Sequence, residues 1–187
     1  MPAPSLADDL MMLALHPTEP RNVLVHPGIR FALRTSELLE DILAGRPVPP
    51  EKELRKTIRR SFHTLQPWLD RLTAAGRSVP QYRGFIPRER RELLLDHAGR
   101  EAAQRRLYDG LPQTPASTPP ARNAMLAALV EVGCLMSWAV PPHQAGTTWT
   151  AAATAVVREQ VGTVGLPPGV LFPIMRVMHD EIERDWD

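Results

Sequence analysis

The chain has one cysteine, two lysines and an aromatic content of only 5% over 187 residues. A lone cysteine, Cys134, forms no internal disulfide, which excludes a disulfide scaffold and agrees with a reducing compartment. Its apolar neighbours, from Val130 to Trp138, predict a buried packing residue rather than a nucleophile. No apolar run approaches the ~18–20 residues needed to span a bilayer. The first residues carry no basic charge ahead of Asp8, so a secretion signal is not expected either. The expected location is cytoplasmic, at most peripheral on the inner face of the membrane.

Signatures of chemistry are missing too. Gly162-Thr-Val-Gly165 has neither the lysine nor the helix start of a phosphate-binding Walker loop. There is no His-Glu-x-x-His and no cysteine pair for zinc. The six histidines are scattered, and His16, His26 and His143 adjoin prolines or turns, which predicts solvent-facing loop positions. The run from His179 to Glu183 is acidic, and the rarity of buried charge predicts a solvated helix end rather than an ion site. No nucleophile stands at a recognisable spacing from a base. The expectation is a non-enzymatic protein with no cofactor and no metal.

What the chain does have is proline, 20 residues of it, punctuating segments of helical periodicity. Ser5 is a candidate cap for a first helix with Leu6, Leu10 and Leu13 on its apolar face, ending near His16-Pro17. Residues 22–26 read as a brief edge strand. Residues 28–44 read as a second helix, stopped by Gly45 and by the prolines after it. A third helix is expected over 51–62, where Leu54, Ile58 and Phe62 repeat every four residues and Arg55, Lys56, Arg59 and Arg60 cover the other side. Pro67 suits the first turn of a fourth, running to Ala75. Residues 76–87 suggest a short hairpin or loop, 88–107 a helix with Leu93, Leu94 and Leu95 inward, and 112–120 an exposed connector. The most hydrophobic helix, over 121–139, is the expected centre. A Thr/Ala-rich helix over 150–161 and a last one after Pro168 complete the plan.

Charge is unevenly distributed. Residues 1–50 sum to −2 and residues 107–187 to −4, whereas residues 51–106 hold fourteen Arg/Lys against seven Asp/Glu, or +7. Such a block is either one solvated face or a surface for an anionic partner, phospholipid headgroups or nucleic acid.

Two blocks resemble a known family. Leu6-Ala-Asp-Asp-Leu-Met-Met-Leu-Ala-Leu15, then Leu33-Arg34-x-x-x-Leu38-x-Glu40-x-x-Leu43-x-Gly45-Arg46, resemble the opening of the Golgi phosphoprotein 3 family, in particular its actinobacterial branch. Leu69 to Gly76, Gly84-Phe-Ile-Pro87 and the helix opening at Arg122 resemble later pieces of it. The resemblance implies a mainly α fold: a single compact helical bundle over 1–187, wrapped by amphipathic helices, with a short β-hairpin or loop near 77–87. It also implies a peripheral membrane or adaptor-like protein that binds anionic phospholipid, with a protein client as a further partner. The family's phosphoinositide pocket uses a tryptophan and three arginines. Arg34 matches one arginine, the tryptophan position falls on Val25, and the two helix arginines fall near Phe62 and Leu65, one turn after Arg59 and Arg60. The stretch between Arg46 and Glu51 is also much shorter than in the family. The resemblance therefore implies the fold and an Arg-rich lipid-binding face, with Arg34, Arg55, Arg59 and Arg60 as candidates, rather than a specific phosphoinositide pocket. A membrane-contacting hairpin of Val79, Tyr82, Arg83, Phe85 and Ile86 completes the expected site.

The rival reading is a winged-helix DNA binder, with 51–62 and 65–75 as its helices and 77–88 as its wing. Against it, the 65–75 segment offers only Arg71 toward a groove and no Asn or Lys to read bases. A protein-interaction bundle with a merely solvated basic face is the third.

Overall fold

The computed structural model describes residues 4–59, 65–84, 89–110, 120–140 and 170–186, apart from the side chains of Val25 and Trp186. The first helix, α1 (Leu6–Ala14), starts in a reciprocal capping box. The Ser5 hydroxyl accepts from the Asp8 amide at 3.0 Å, and the Asp8 carboxylate accepts from the Ser5 amide at 3.0 Å. Of its nine residues only Asp8 is not buried, so α1 lies inside the bundle, packed on α2 (Pro27–Leu43), α5 (His97–Asp109) and α6 (Ala121–Val132).

Helix α2 begins on Pro27, whose missing N–H costs nothing at a helix start. It ends where Gly45 adopts φ +90°, a left-handed conformation that glycine takes without penalty. The Arg46 amide then bonds the Asp41 carbonyl at 3.0 Å and the Gly45 amide the Ile42 carbonyl at 2.9 Å, which satisfies two terminal acceptors. The short amphipathic α3 (Glu51–Arg59) lays Leu54 and Ile58 against α2 and α8 (Leu171–Trp186). Helix α4 (Leu65–Ala74) ends at Gly76 by the same pair of bonds and packs on the first strand.

The hairpin is longer than expected. β1 (Ser78–Arg83) pairs antiparallel with β2 (Glu89–Leu94), in a register that sets Val79 opposite Leu93 and Arg83 opposite Glu89. Residues 89–94 are thus a strand and not the start of a helix. Asp96 caps α5, its carboxylate accepting from the Gly99 amide at 2.8 Å. As a strand requires, Leu94 is buried while Leu95 beyond it is 48% exposed.

Residues 22–26 are not an edge strand. Val23–Val25 form one turn of 3-10 helix, and the pairing falls to residues before it: Arg21 exchanges both backbone bonds with Glu92, and the Leu94 amide reaches the His16 carbonyl. β2 is therefore bonded along both edges. The expected single helix over 121–139 is two. α6 stops at Gly133, Cys134 takes φ +56°, and a single turn, α7 (Met136–Ala139), resumes. Cys134 at this break is exposed, not buried. Among the described residues the fold is mainly α, eight helices and one two-stranded sheet. The core is continuous from α1 through α2, α5 and α6 to α8. The 150–161 helix, Phe62, the hairpin tip and most of the 112–120 connector lie outside the described residues.

Candidate functional site

The arginines expected to face an anion turn out to face carboxylates. Arg34 on α2 donates to Glu37 at 2.5 Å, one helical turn on, and to the Thr57 carbonyl of α3 at 3.4 Å. Arg55 donates to Glu51 at 3.0 Å, to Asp180 at 2.8 Å and to Glu181 at 3.2 Å. Those bonds, that to Asp180 above all, push its pKa further up. Arg59 donates to the other oxygen of Glu181 at 2.5 Å, and Arg184 to the first at 2.9 Å. Glu181 is 4% exposed. At the acidic end of α8 His179 and Glu183 are exposed, as expected, but the buried Glu181 collects three guanidinium groups and ties α3 to α8. Arg60 lies outside the described residues, and Leu65 is a core residue of α4.

The hairpin divides its candidates between two faces, because successive side chains on a strand point opposite ways. Val79, Gln81 and Arg83 share one face with Glu89, Arg91 and Leu93; Pro80 and Tyr82 share the other with Arg90 and Glu92. Val79 (37% exposed) and Tyr82 (58%) thus do not form one apolar wedge. Phe85 and Ile86 lie outside the described residues. The inner face is held by Arg90, which bonds Asp70 of α4 at 2.7 Å and the buried Glu92 at 2.6 Å.

Under the hairpin lies a cationic knot that sequence reasoning missed. Arg100 is buried on α5 and donates to the carbonyls of Met12 and Leu13 at 2.8 Å, to that of Leu15, and to that of Trp138 at 2.8 Å. Burial, and then the nearby Arg21 cation, push its pKa down to about 10. Arg21 stacks 4.9 Å over the Trp138 ring, whose edge meets His26 with centroids 4.6 Å apart. His16 and His26 are half-buried, not solvent-facing. Burial lowers both pKa values, helped by Arg21 at His16 and by Arg30 at His26. The His16 Nδ1 accepts from the amides of Thr18 (3.3 Å) and Glu19 (3.1 Å), which shapes the turn 18–20 over β2.

That turn and the outer hairpin face enclose a groove of about 270 Å³, lined by Thr18, Glu19, Pro20, Arg83 and Arg91. Of these only Arg83 was legible as a candidate; the others meet through the β2 register, which a helical reading of 88–107 conceals. Among the described residues no three of His, Cys, Asp and Glu stand close enough to hold a metal ion, and no helix is long and apolar enough to cross a membrane. Comparison with protein-family models, curated proteins and solved structures finds no match, so the site stands on its own geometry.

Proposed function

We propose that the chain is a non-enzymatic, peripheral protein that docks on anionic phospholipid surfaces through the basic face of residues 51–106. One observation carries the reading. Among the described residues, the exposed Arg and Lys without an ion pair are Lys52, Lys56, Arg71, Arg83 and Arg105, and all five fall in the +7 segment; the other exposed arginines, 46, 59, 176 and 184, are paired with acids. Lys52 and Lys56 stand one turn apart on α3, opposite its buried Leu54 and Ile58. The ligand class comes from the resemblance of Leu33–Arg46 to the Golgi phosphoprotein 3 family. The contact residues differ from those the resemblance suggests, since Arg34, Arg55 and Arg59 are held by acids of the protein itself. Attraction of unpaired surface cations to an anionic leaflet gains roughly 1 kcal/mol per residue.

The test is co-sedimentation with phosphatidylcholine vesicles, with and without phosphatidylglycerol. Binding only to the anionic vesicles is expected, weakened at least about tenfold in the double variant Lys52→Glu/Lys56→Glu. Equal binding to neutral vesicles, or none to either, overturns the proposal. Retention of random duplex DNA with a steep salt slope would favour the winged-helix reading instead. That reading has less support: α4 presents the exposed Asp70 beside Arg71, whose guanidinium lies 3.7 Å over the Trp68 ring.

A further inference from the structure

The groove between the turn 18–20 and the outer hairpin face is lined by two arginines, Arg83 and Arg91, and one acid, Glu19. Arg91 faces Gln81 across the hairpin and Arg83 faces Glu89, so the two arginines occupy diagonal positions on one face, within reach of a single small ligand. The acid nearest them is already engaged: Glu89 accepts from the Asn22 amide group at 2.9 Å and from Arg91 at 3.1 Å. These bonds, that from Asn22 first, hold its pKa below the usual carboxylate value. Arg91 makes this contact through one terminal nitrogen only. Arg83 is exposed and has no ion pair among the described residues. The opposite wall is pre-formed, because the turn 18–20 is held by His16 and by the backbone exchange of Arg21 with Glu92.

We propose that this groove binds a phosphate ester, its phosphate between the guanidinium groups of Arg83 and Arg91 and its hydroxyl-bearing substituent against Glu19. Guanidinium groups suit phosphate oxygens by charge and by the planar fork of their donors. Glu19 decides the rest of the ligand: its carboxylate repels a bare anion but accepts from a hydroxyl donor. The volume lies just below the roughly 300 Å³ at which pockets for larger small molecules begin, which fits a headgroup-sized ester. The ester comes either from a lipid headgroup or from a soluble metabolite. The groove does not depend on the membrane proposal, since a soluble ester is enough to fill it.

The full chain is titrated with sn-glycerol 3-phosphate and with inorganic phosphate, followed by amide NMR shifts and calorimetry. Saturable binding of glycerol phosphate is expected, tighter than that of inorganic phosphate, with shifts at Thr18, Gly84 and Arg91. Arg83→Gln, which removes no ion pair, weakens it about tenfold, whereas Arg105→Gln on α5 leaves it unchanged. Glu19→Gln narrows the preference over inorganic phosphate. No saturable binding, or equal loss in the Arg83 and Arg105 variants, overturns the groove. Phosphatidylglycerol vesicles separate the two sources. Vesicle binding that fails while glycerol phosphate still binds keeps the groove, assigns a soluble ligand and removes the membrane proposal. Vesicle binding that persists with no response to glycerol phosphate or to Arg83→Gln removes the groove and keeps the membrane proposal.

Discussion

Arg100 shows how one side chain organises the centre of the molecule. The last carbonyls of a helix have no partner within it, and those at the end of α1 are buried. Arg100 supplies donors to two of them, Met12 and Leu13, to the capping Leu15 and to Trp138 within α7. Arg100→Met keeps the volume but leaves those carbonyls unbonded, and is expected to lower the unfolding free energy by about 3 kcal/mol in a urea titration. A midpoint within error of the parent would show that water replaces the guanidinium. The same region sets a pH response. Because the pKa values of His16 and His26 are lowered in the fold, the unfolded chain binds more protons just below the ordinary histidine value. Stability is then flat above about pH 6.5 and falls as pH drops through the range between that value and the folded pKa values. Asp70, Glu89 and Asp96, whose pKa values are also lowered, lose their contributions only in the more acidic carboxylate range. A loss just below about pH 6.5 that persists in His16→Gln/His26→Gln would assign it elsewhere.

At the scale of elements, the clearest dependence is that of α8 on α3. Two long side chains of α3, Arg55 and Arg59, end on the carboxylate of Glu181, and Leu54 and Ile58 pack beneath them. Glu181→Gln is expected to leave α1 and α6 as protected as before, while hydrogen exchange speeds up in α3 and α8. The loss is roughly 1–2 kcal/mol once the solvent screening of the half-exposed Arg59 and Arg184 is allowed for. Uniform acceleration in every helix would mean that α8 opens only when the whole molecule does. The helices themselves were legible: caps at Ser5, stops at Gly45 and Gly76, and four-residue spacing on α3 all act within one or two turns. β2 was not. Its Glu-Arg-Arg-Glu-Leu-Leu has no β-branched residue, and three consecutive leucines suit either period. Charged residues are so seldom buried that sequence reasoning places Asp9, Glu92, Arg100 and Glu181 outside. Their partners explain why they are not: Asp9 meets Arg106, Glu92 meets Arg90, and Glu181 meets Arg55 across 126 positions of chain. Among the described residues of the candidate site only Arg83 is a cation without an ion pair, because a sequence shows where charges are and not which of them neutralise one another.

The molecule as a whole is nearly neutral yet strongly zoned, and pairing sharpens the zoning. Acids of α8 take up arginines of α3, so the positive potential left to solvent comes from fewer residues than the +7 block suggests. The proposed vesicle binding is therefore expected to weaken steeply as ionic strength rises past physiological values, where the Debye length is about 8 Å. Binding that survives molar salt would indicate insertion of apolar groups instead.

The two-sided bonding of β2 also determines what the sheet shows to other molecules. Glu92 directs both its backbone groups toward Arg21, so its partner Pro80 directs its own away from β2, to the outer edge of β1. A proline there has no N–H to offer. Where an incoming strand would seek its central donor it finds a pyrrolidine ring, so the sheet resists growth by edge-to-edge addition of further chains.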